Sequence, residues 1–315
     1  MKIYKSPHVE IKTIKRLKGD TGYLLDYLGD SIKLNEITMA KYQMFMDDLS
    51  STHAHSTCIH VNTSLRSMFA KAVNENLMRI NPSTTDTYVG GTDIHIGKNK
   101  QSVLDLKQFK ALMDDIMASE DCVAKYVVFV HASTGMRFGE VLGLSKDKFN
   151  LFNNTLLVSK MYDYAGTHEM KKLKGGAHSR KLHLPDSFFK IMNQYFIWRE
   201  KQILNGNIKV NTETPQLIFT GLNGKPISNT GVNNYIKSHC EKCGFERITS
   251  HGFRRTQATL MNLAGNNLTY IADFLGHADS STTVRYYIKA TDTLREINDE
   301  KKAEFYERTG LSNIL

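Results

Sequence analysis

The sequence predicts a mainly α-helical protein carrying one small antiparallel β-sheet. Apolar residues recur at helix spacing through residues 8–80 and helices return over 249–310, whereas only two short runs, Leu156-Leu157-Val158 and Lys181-Leu182-His183-Leu184, read as strands. A length of 315 residues suggests two domains, and 41% apolar residues are enough for real cores and exclude a disordered chain.

The elements follow in order. Ile14, Leu17, Leu24, Leu25 and Leu28 mark a first helix or helix pair, which Gly29-Asp30 punctuates. Ile37-Thr38 opens the next helix, carrying Tyr42, Phe45, Met46 and Leu49. Val61, Leu65, Met68, Phe69, Ala72, Val73 and Leu77 define a further one. Asn81-Pro82 ends the region, because a residue before proline disfavours the helical conformation. Residues 83–102 are rich in Ser, Thr, Gly and Asp and lack helix periodicity, as a linker does. Asp105 and Gln108 form a capping-box pattern ahead of Phe109, Leu112, Met113 and Ile116. The apolar stretch Val127 to Leu144 places Arg137 on or beside a buried helix. Between the two strands lies a basic turn, Lys171-Lys172-Leu173-Lys174-Gly175-Gly176.

Charge narrows the partners. A net charge of +9 and a pI near 9.2 suit a polyanion. Four cysteines are too few for a disulfide framework at this size. The lone Cys240-Glu241-Lys242-Cys243 lacks the two further ligands of a zinc site, so reduced structural thiols are expected. No apolar run reaches the ~20 residues of a membrane span, and Met1-Lys2-Ile3-Tyr4-Lys5 has no signal-peptide core. A cytoplasmic protein is expected.

The chemistry sits in four short motifs: Thr134-Gly135-Met136-Arg137, His251-Gly252-Phe253-Arg254, Leu275-Gly276-His277, and Tyr286, nine residues after that histidine. Two arginines, two histidines and a tyrosine can cut a phosphodiester without a metal. Arginines clamp phosphate oxygens bidentately, histidines move protons or hold oxygens, and a tyrosine attacks and stays attached. His251 and Arg254 are three apart, hence on one helix face.

In this order the motifs resemble the tyrosine recombinases, the phage integrase family, and most of all the integrases of temperate phages and integrative conjugative elements. The arginine motif continues as Phe138-Gly139-Glu140-Val141-Leu142-Gly143-Leu144, and Leu217-Ile218-Phe219 with Gly224-Lys225-Pro226-Ile227 resembles another family segment. The likeness covers roughly residues 10–300. Arg255 stands where relatives often have histidine.

The resemblance implies a catalytic set. Arg137 and Arg254 bind the scissile phosphate, His251 transfers a proton, and His277 hydrogen-bonds the phosphate. Tyr286 forms a 3′-phosphotyrosine, with adjacent Tyr287 as the alternative. A general-acid lysine six residues before an arginine corresponds to Lys174, counted back from Arg180, with Lys172 and Lys171 as alternatives in the same turn. Glu140 would brace the arginine helix rather than join the chemistry. DNA contacts are expected from Lys12, Lys15, Arg16, Arg66, Lys71, Lys172, Arg180 and Arg255. No metal and no cofactor is implied.

It also implies an organisation: a helical core-DNA-binding domain over 1–85, a linker over 86–102, a catalytic domain over 103–290, and a tail over 291–315 that packs on a neighbouring protomer, the whole closing as a C-shaped clamp. Partners would be double-stranded recombination sites, further copies in a tetramer on two duplexes exchanging strands through a Holliday junction, and host or element-encoded DNA-bending or excision factors. The outcome would be integration or excision of a mobile element in a bacterial cytoplasm, at the nucleoid. Two other readings use the same residues: a type IB topoisomerase-like relaxing enzyme and a catalytically silent DNA-binding relative.

Overall fold

The computed structural model describes residues 11–92, 103–174, 177–210, 213–214 and 216–277. The chain forms two compact units, one built on the helices before Asn99 and one on the elements after Lys100.

The first unit holds three helices, α1 (Ile11–Leu28), α2 (Met39–Thr52) and α3 (His55–Asn74). The first apolar set makes a single helix, closed by Gly29 in the left-handed region at φ +87°. Thr38 caps α2, its hydroxyl accepting from the Lys41 amide at 3.2 Å. Tyr42, Phe45, Met46 and Leu49 of α2 then share one core with Leu24, Cys58, Val61, Leu65 and Phe69. Leu77, counted into α3 by its spacing, lies past the end of that helix and is 61% exposed. The expected linker begins fastened to this unit: the Tyr88 amide donates to Gln43 Oε1 at 2.9 Å and the Thr92 amide to the His53 carbonyl at 2.9 Å. Residues 93–102 lie outside the described part.

In the second unit α4 (Leu106–Ala118) starts on the anticipated capping box, Gln108 N donating to Asp105 Oδ1 at 2.8 Å and Asp105 N to Gln108 Oε1 at 3.2 Å. The central helix α5 (Val123–Thr134) is buried on nearly every side, with α4, α6 (Phe138–Leu142), α7 (Asp186–Leu204), α8 (Asn229–Lys242) and α9 (Ser250–Leu263) against it. An apolar helix with no polar face can only sit in such a core. The apolar run Val127–Leu144 is therefore two helices, because Gly135 ends α5 at φ +61°.

The sheet runs β1 (Phe149–Asn150), β2 (Thr155–Val158), β5 (Arg180–His183), all antiparallel, with Leu156 opposite Leu182 and Val158 opposite Arg180. The two anticipated strands do pair, but no simple hairpin joins them. A second ribbon, β3 (Met161–Tyr162) with β4 (Met170–Lys171), is interposed. Lys171 thus belongs to a strand, its ammonium 2.6 Å from Asp163, and only Lys172–Lys174 lie beyond it. Gly175 and Gly176 lie outside the described residues.

Helices α7 and α8 correspond to no element assigned from sequence. Their signal is present: Phe188, Phe189, Met192, Tyr195 and Phe196 are buried along α7, and Val232, Ile236 and Cys240 along α8. Burial pushes the Cys240 and Cys243 thiols above their ordinary value, and both are free. Among the described residues no helix is long and apolar enough to cross a membrane.

Candidate active site

The site is built where three helix ends meet: the reversal after α5, the start of α9, and the end of α10 (Leu268–Leu275). At the first, Gly135 turns the chain in a conformation that suits glycine. A Cβ there would also come within 2.6 Å of Leu275 Cδ2. Arg137 is therefore the residue that caps α6, not a residue within α5.

One carboxylate organises the arginines. Glu140 Oε2 accepts from the Arg137 amide at 3.0 Å and from Arg180 Nη2 at 2.9 Å, while Oε1 accepts from Arg137 Nη1 at 3.0 Å. Glu140 is 1% exposed. Burial alone would raise its pKa, but Arg180, by charge and hydrogen bond, and Arg137 outweigh this and hold it below the usual carboxylate value.

The same two arginines seize the C-terminus of α10, where carbonyls lack helical partners. Arg180 Nε donates to the Phe274 carbonyl at 2.8 Å and Arg137 Nη1 to the Gly276 carbonyl at 2.9 Å. Gly276 at φ +69° closes the helix, with its amide 2.9 Å from Asp273 O and the His277 amide 2.9 Å from Ala272 O. That double bond fixes the direction in which His277 leaves the helix.

Arg254, on the first turns of α9, is 3% exposed and donates from Nη1 to the Gly135 carbonyl at 2.9 Å. Thr249 caps the helix, accepting from the Gly252 amide at 3.4 Å. Arg137 keeps 34% of its side-chain exposure against 6% for Arg180, so Arg137 is the more open of that pair.

Burial, reinforced by this concentration of cations, lowers the pKa of both histidines. Burial first, then Arg254, Arg137 and Arg180, bring His277 down to about 4. Burial, then Arg255, Arg254 and Arg137, also lower His251, although its side chain reaches solvent. A neutral imidazole can accept a proton. The net positive field would receive a phosphodiester.

The structure thus brings Arg137, Arg254, His251 and His277 into one electrostatic cluster, with Glu140 as its brace. Lys172 and Lys174 are exposed in the stretch between β4 and β5. Tyr286, Tyr287 and the tail over 291–315 lie outside the described residues. Of the expected DNA contacts, Lys15 and Arg16 are exposed on α1, and Lys71 is exposed beside Glu75 at 3.6 Å. Arg255 is half-buried next to His251, and the Lys12 side chain lies outside the described part.

Two of the residues expected to contact DNA are engaged within the protein. Arg66 turns toward its own unit, donating from Nε to the Ser83 carbonyl at 3.1 Å and from Nη2 to the Thr84 carbonyl. Arg180 is buried between Glu140 and α10, so its charge serves the site's interior. Alternation carried that signal, since Arg180 shares the inward face of β5 with Leu182.

Known proteins resemble this chain. The profile of the phage integrase family matches residues 102–293. The chain is 25% identical to the integrase of Staphylococcus phage L54a, over 95% of this chain and 88% of that protein. It is 22% identical to the tyrosine recombinase XerD of Staphylococcus epidermidis, over 90% of each. Its fold is shared with the Tn1549 transposon integrase solved with a circular intermediate DNA, at TM-score 0.77 and 16% identity over 95% of this chain and 96% of that one. It is shared too with a lambda integrase dimer bound to a COC′ core site, at TM-score 0.66 and 18% identity over 90% and 91%.

Proposed function

This chain belongs to the phage integrase family, and from that premise we propose that it is a site-specific recombinase that integrates or excises a mobile element through a 3′-phosphotyrosine intermediate. The observation that carries the reading is the pair of arginines held ready before substrate arrives, Arg137 by Glu140 and the Gly276 carbonyl, Arg254 by the Gly135 carbonyl. Charge positioned in advance stabilises the pentacoordinate phosphate at no cost in reorganisation, and each such donor is commonly worth about 3–4 kcal/mol.

The Tyr286 phenol attacks phosphorus, the bond to the 5′ oxygen breaks, and the ester energy is kept in the phosphotyrosine. Neutral His251 accepts a proton, His277 hydrogen-bonds a phosphate oxygen, and Lys174 protonates the departing 5′ oxygen. A 5′ hydroxyl from a partner duplex then attacks the phosphotyrosine and exchanges strands. Four protomers on two duplexes, passing through a Holliday junction, complete the reaction.

The test is a recombination site nicked just past the cleavage point, incubated with the protein. A covalent protein–DNA adduct followed by strand exchange is expected. An adduct that never goes on to strand exchange would make it a topoisomerase, and binding without an adduct would make it a silent relative.

Lys174 has its own test. Lys174→Ala should slow cleavage by roughly 100-fold, within the range for a lost general acid. A 5′-bridging sulfur leaves without a proton and should restore most of the rate, while Arg137→Ala gains nothing. Rescue of Lys172→Ala instead would move the acid to Lys172.

A further inference from the structure

The chemistry above makes no use of His131. This histidine is fully buried near the end of α5, six residues before Arg137. Its Nδ1 lies 3.1 Å from the Met136 carbonyl. A carbonyl only accepts, so this contact assigns the proton to Nδ1. Its Nε2 is buried with no hydrogen-bond partner among the described residues. The ring stacks on Phe138, the planes 6° apart and the centroids separated by 5.7 Å.

Met136 and Phe138 are the two chain neighbours of Arg137. One buried ring therefore grips the backbone just before the arginine and the side chain just after it. The same reversal supplies the Gly135 carbonyl that receives Arg254. An apolar side chain would fill this buried position without burying an unsatisfied nitrogen, which costs about 1–3 kcal/mol. Carrying a histidine there demands a return, and the Met136 bond is what the geometry offers.

We propose that His131 is a positioning residue for strand cleavage, a neutral clamp that sets the Gly135–Arg137 reversal and through it the placement of both phosphate-binding arginines. The proposal rests on the recombinase reading. Burial keeps the ring uncharged: desolvation brings it to about 4, Met136 and Glu140 pulling up against it while Arg254 and His251 push down. A cationic ring would need an acceptor at Nε2.

His131→Phe keeps the stacking and removes the donor. His131→Asn keeps a donor that reaches toward Met136 and removes the stacking. Three readouts are taken on the full chain: thermal unfolding, affinity for the site, and the single-turnover rate of adduct formation on the nicked site. The Phe variant should bind within about twofold of wild type and cleave roughly 100-fold more slowly, the size of effect a misplacement of about 1 Å produces. The Asn variant should recover most of that loss.

A Phe variant that cleaves at the wild-type rate overturns the inference. So does a loss of rate shared equally by Phe and Asn, or one tracking a matching loss of affinity, since either reports general packing. Should wild type itself form no adduct, the recombinase reading fails, and the ring's nitrogen resonances decide the clamp separately. A neutral ring protonated at Nδ1 from about pH 5 to 8 sustains it, and a ring titrating near the ordinary value of about 6.5 overturns it.

Discussion

Tyr286→Phe should bind the recombination site as tightly as wild type and form no covalent adduct at all. The substitution removes one oxygen and should leave the proposed phosphate-binding cluster in place, because Arg137, Arg254 and His277 are fixed by Glu140, by backbone carbonyls and by the end of α10. On the proposed mechanism affinity would come from many phosphate contacts, whereas bond formation needs that one hydroxyl. The spacing of nine residues from His277 is the ground on which Tyr286 is proposed over its neighbour. Gel shift measures the binding, a denaturing gel the adduct, and peptide mapping of the wild-type adduct the residue. Phosphate on Tyr287 would overturn the assignment.

Glu140→Ala should have the largest effect on stability. Arg180 is 8% exposed and Arg137 sits on the same carboxylate, so removing it leaves two guanidinium groups facing one another with no counter-charge. Breaking a buried pair in this way costs about 3–5 kcal/mol, and for a unit of this size that lowers Tm by on the order of 10 °C. Cleavage should fall with it, by roughly 1000-fold, as both arginines lose their orientation. Calorimetry beside single-turnover cleavage checks both, and an unchanged Tm would remove Glu140 from its bracing role.

The pH dependence has a definite sign. The folded Glu140 value is depressed, so its contribution is present above the ordinary value of 4.5 and lost as pH falls through the folded value below it. His131 and His277 are depressed as well, from 6.5 to about 4. Their neutral forms favour the fold above 6.5, and that advantage drains away as the unfolded chain protonates between 6.5 and 4. Acid should therefore weaken the catalytic unit in two stages, histidines first.

Much of this was readable before any coordinates. Thr38 and Asp105 announced their helices because caps are local chemistry, and α2 showed a clear apolar repeat. Thr134-Gly135-Met136-Arg137, His251 to Arg254 and Leu275-Gly276-His277 stood out because each couples a charged group to a fixed local turn. The break inside Val127–Leu144 was hidden, since a helix buried all round shows no period and only the left-handed glycine marks its end. Strands β3 and β4, two residues each, are too short to carry alternation. The burial of Arg180 is not legible locally, because a basic residue beside a basic turn looks like a surface contact. Its burial depends on Glu140 and Phe274, partners 40 and 94 positions away.

Those separations bear on how the protein is made. The bonds that orient the end of α10 reach back 94 residues to Arg180 and 139 to Arg137. Contacts of such high order form late, after the entropy of closing long loops has been met. A nascent chain that has emerged only as far as α9 already carries Arg137, Arg180 and Arg254, yet lacks the helix end that two of them grip. Competence to cut DNA therefore arrives with the last part of the catalytic unit, and an unfinished polypeptide holds the charges of the site without its geometry.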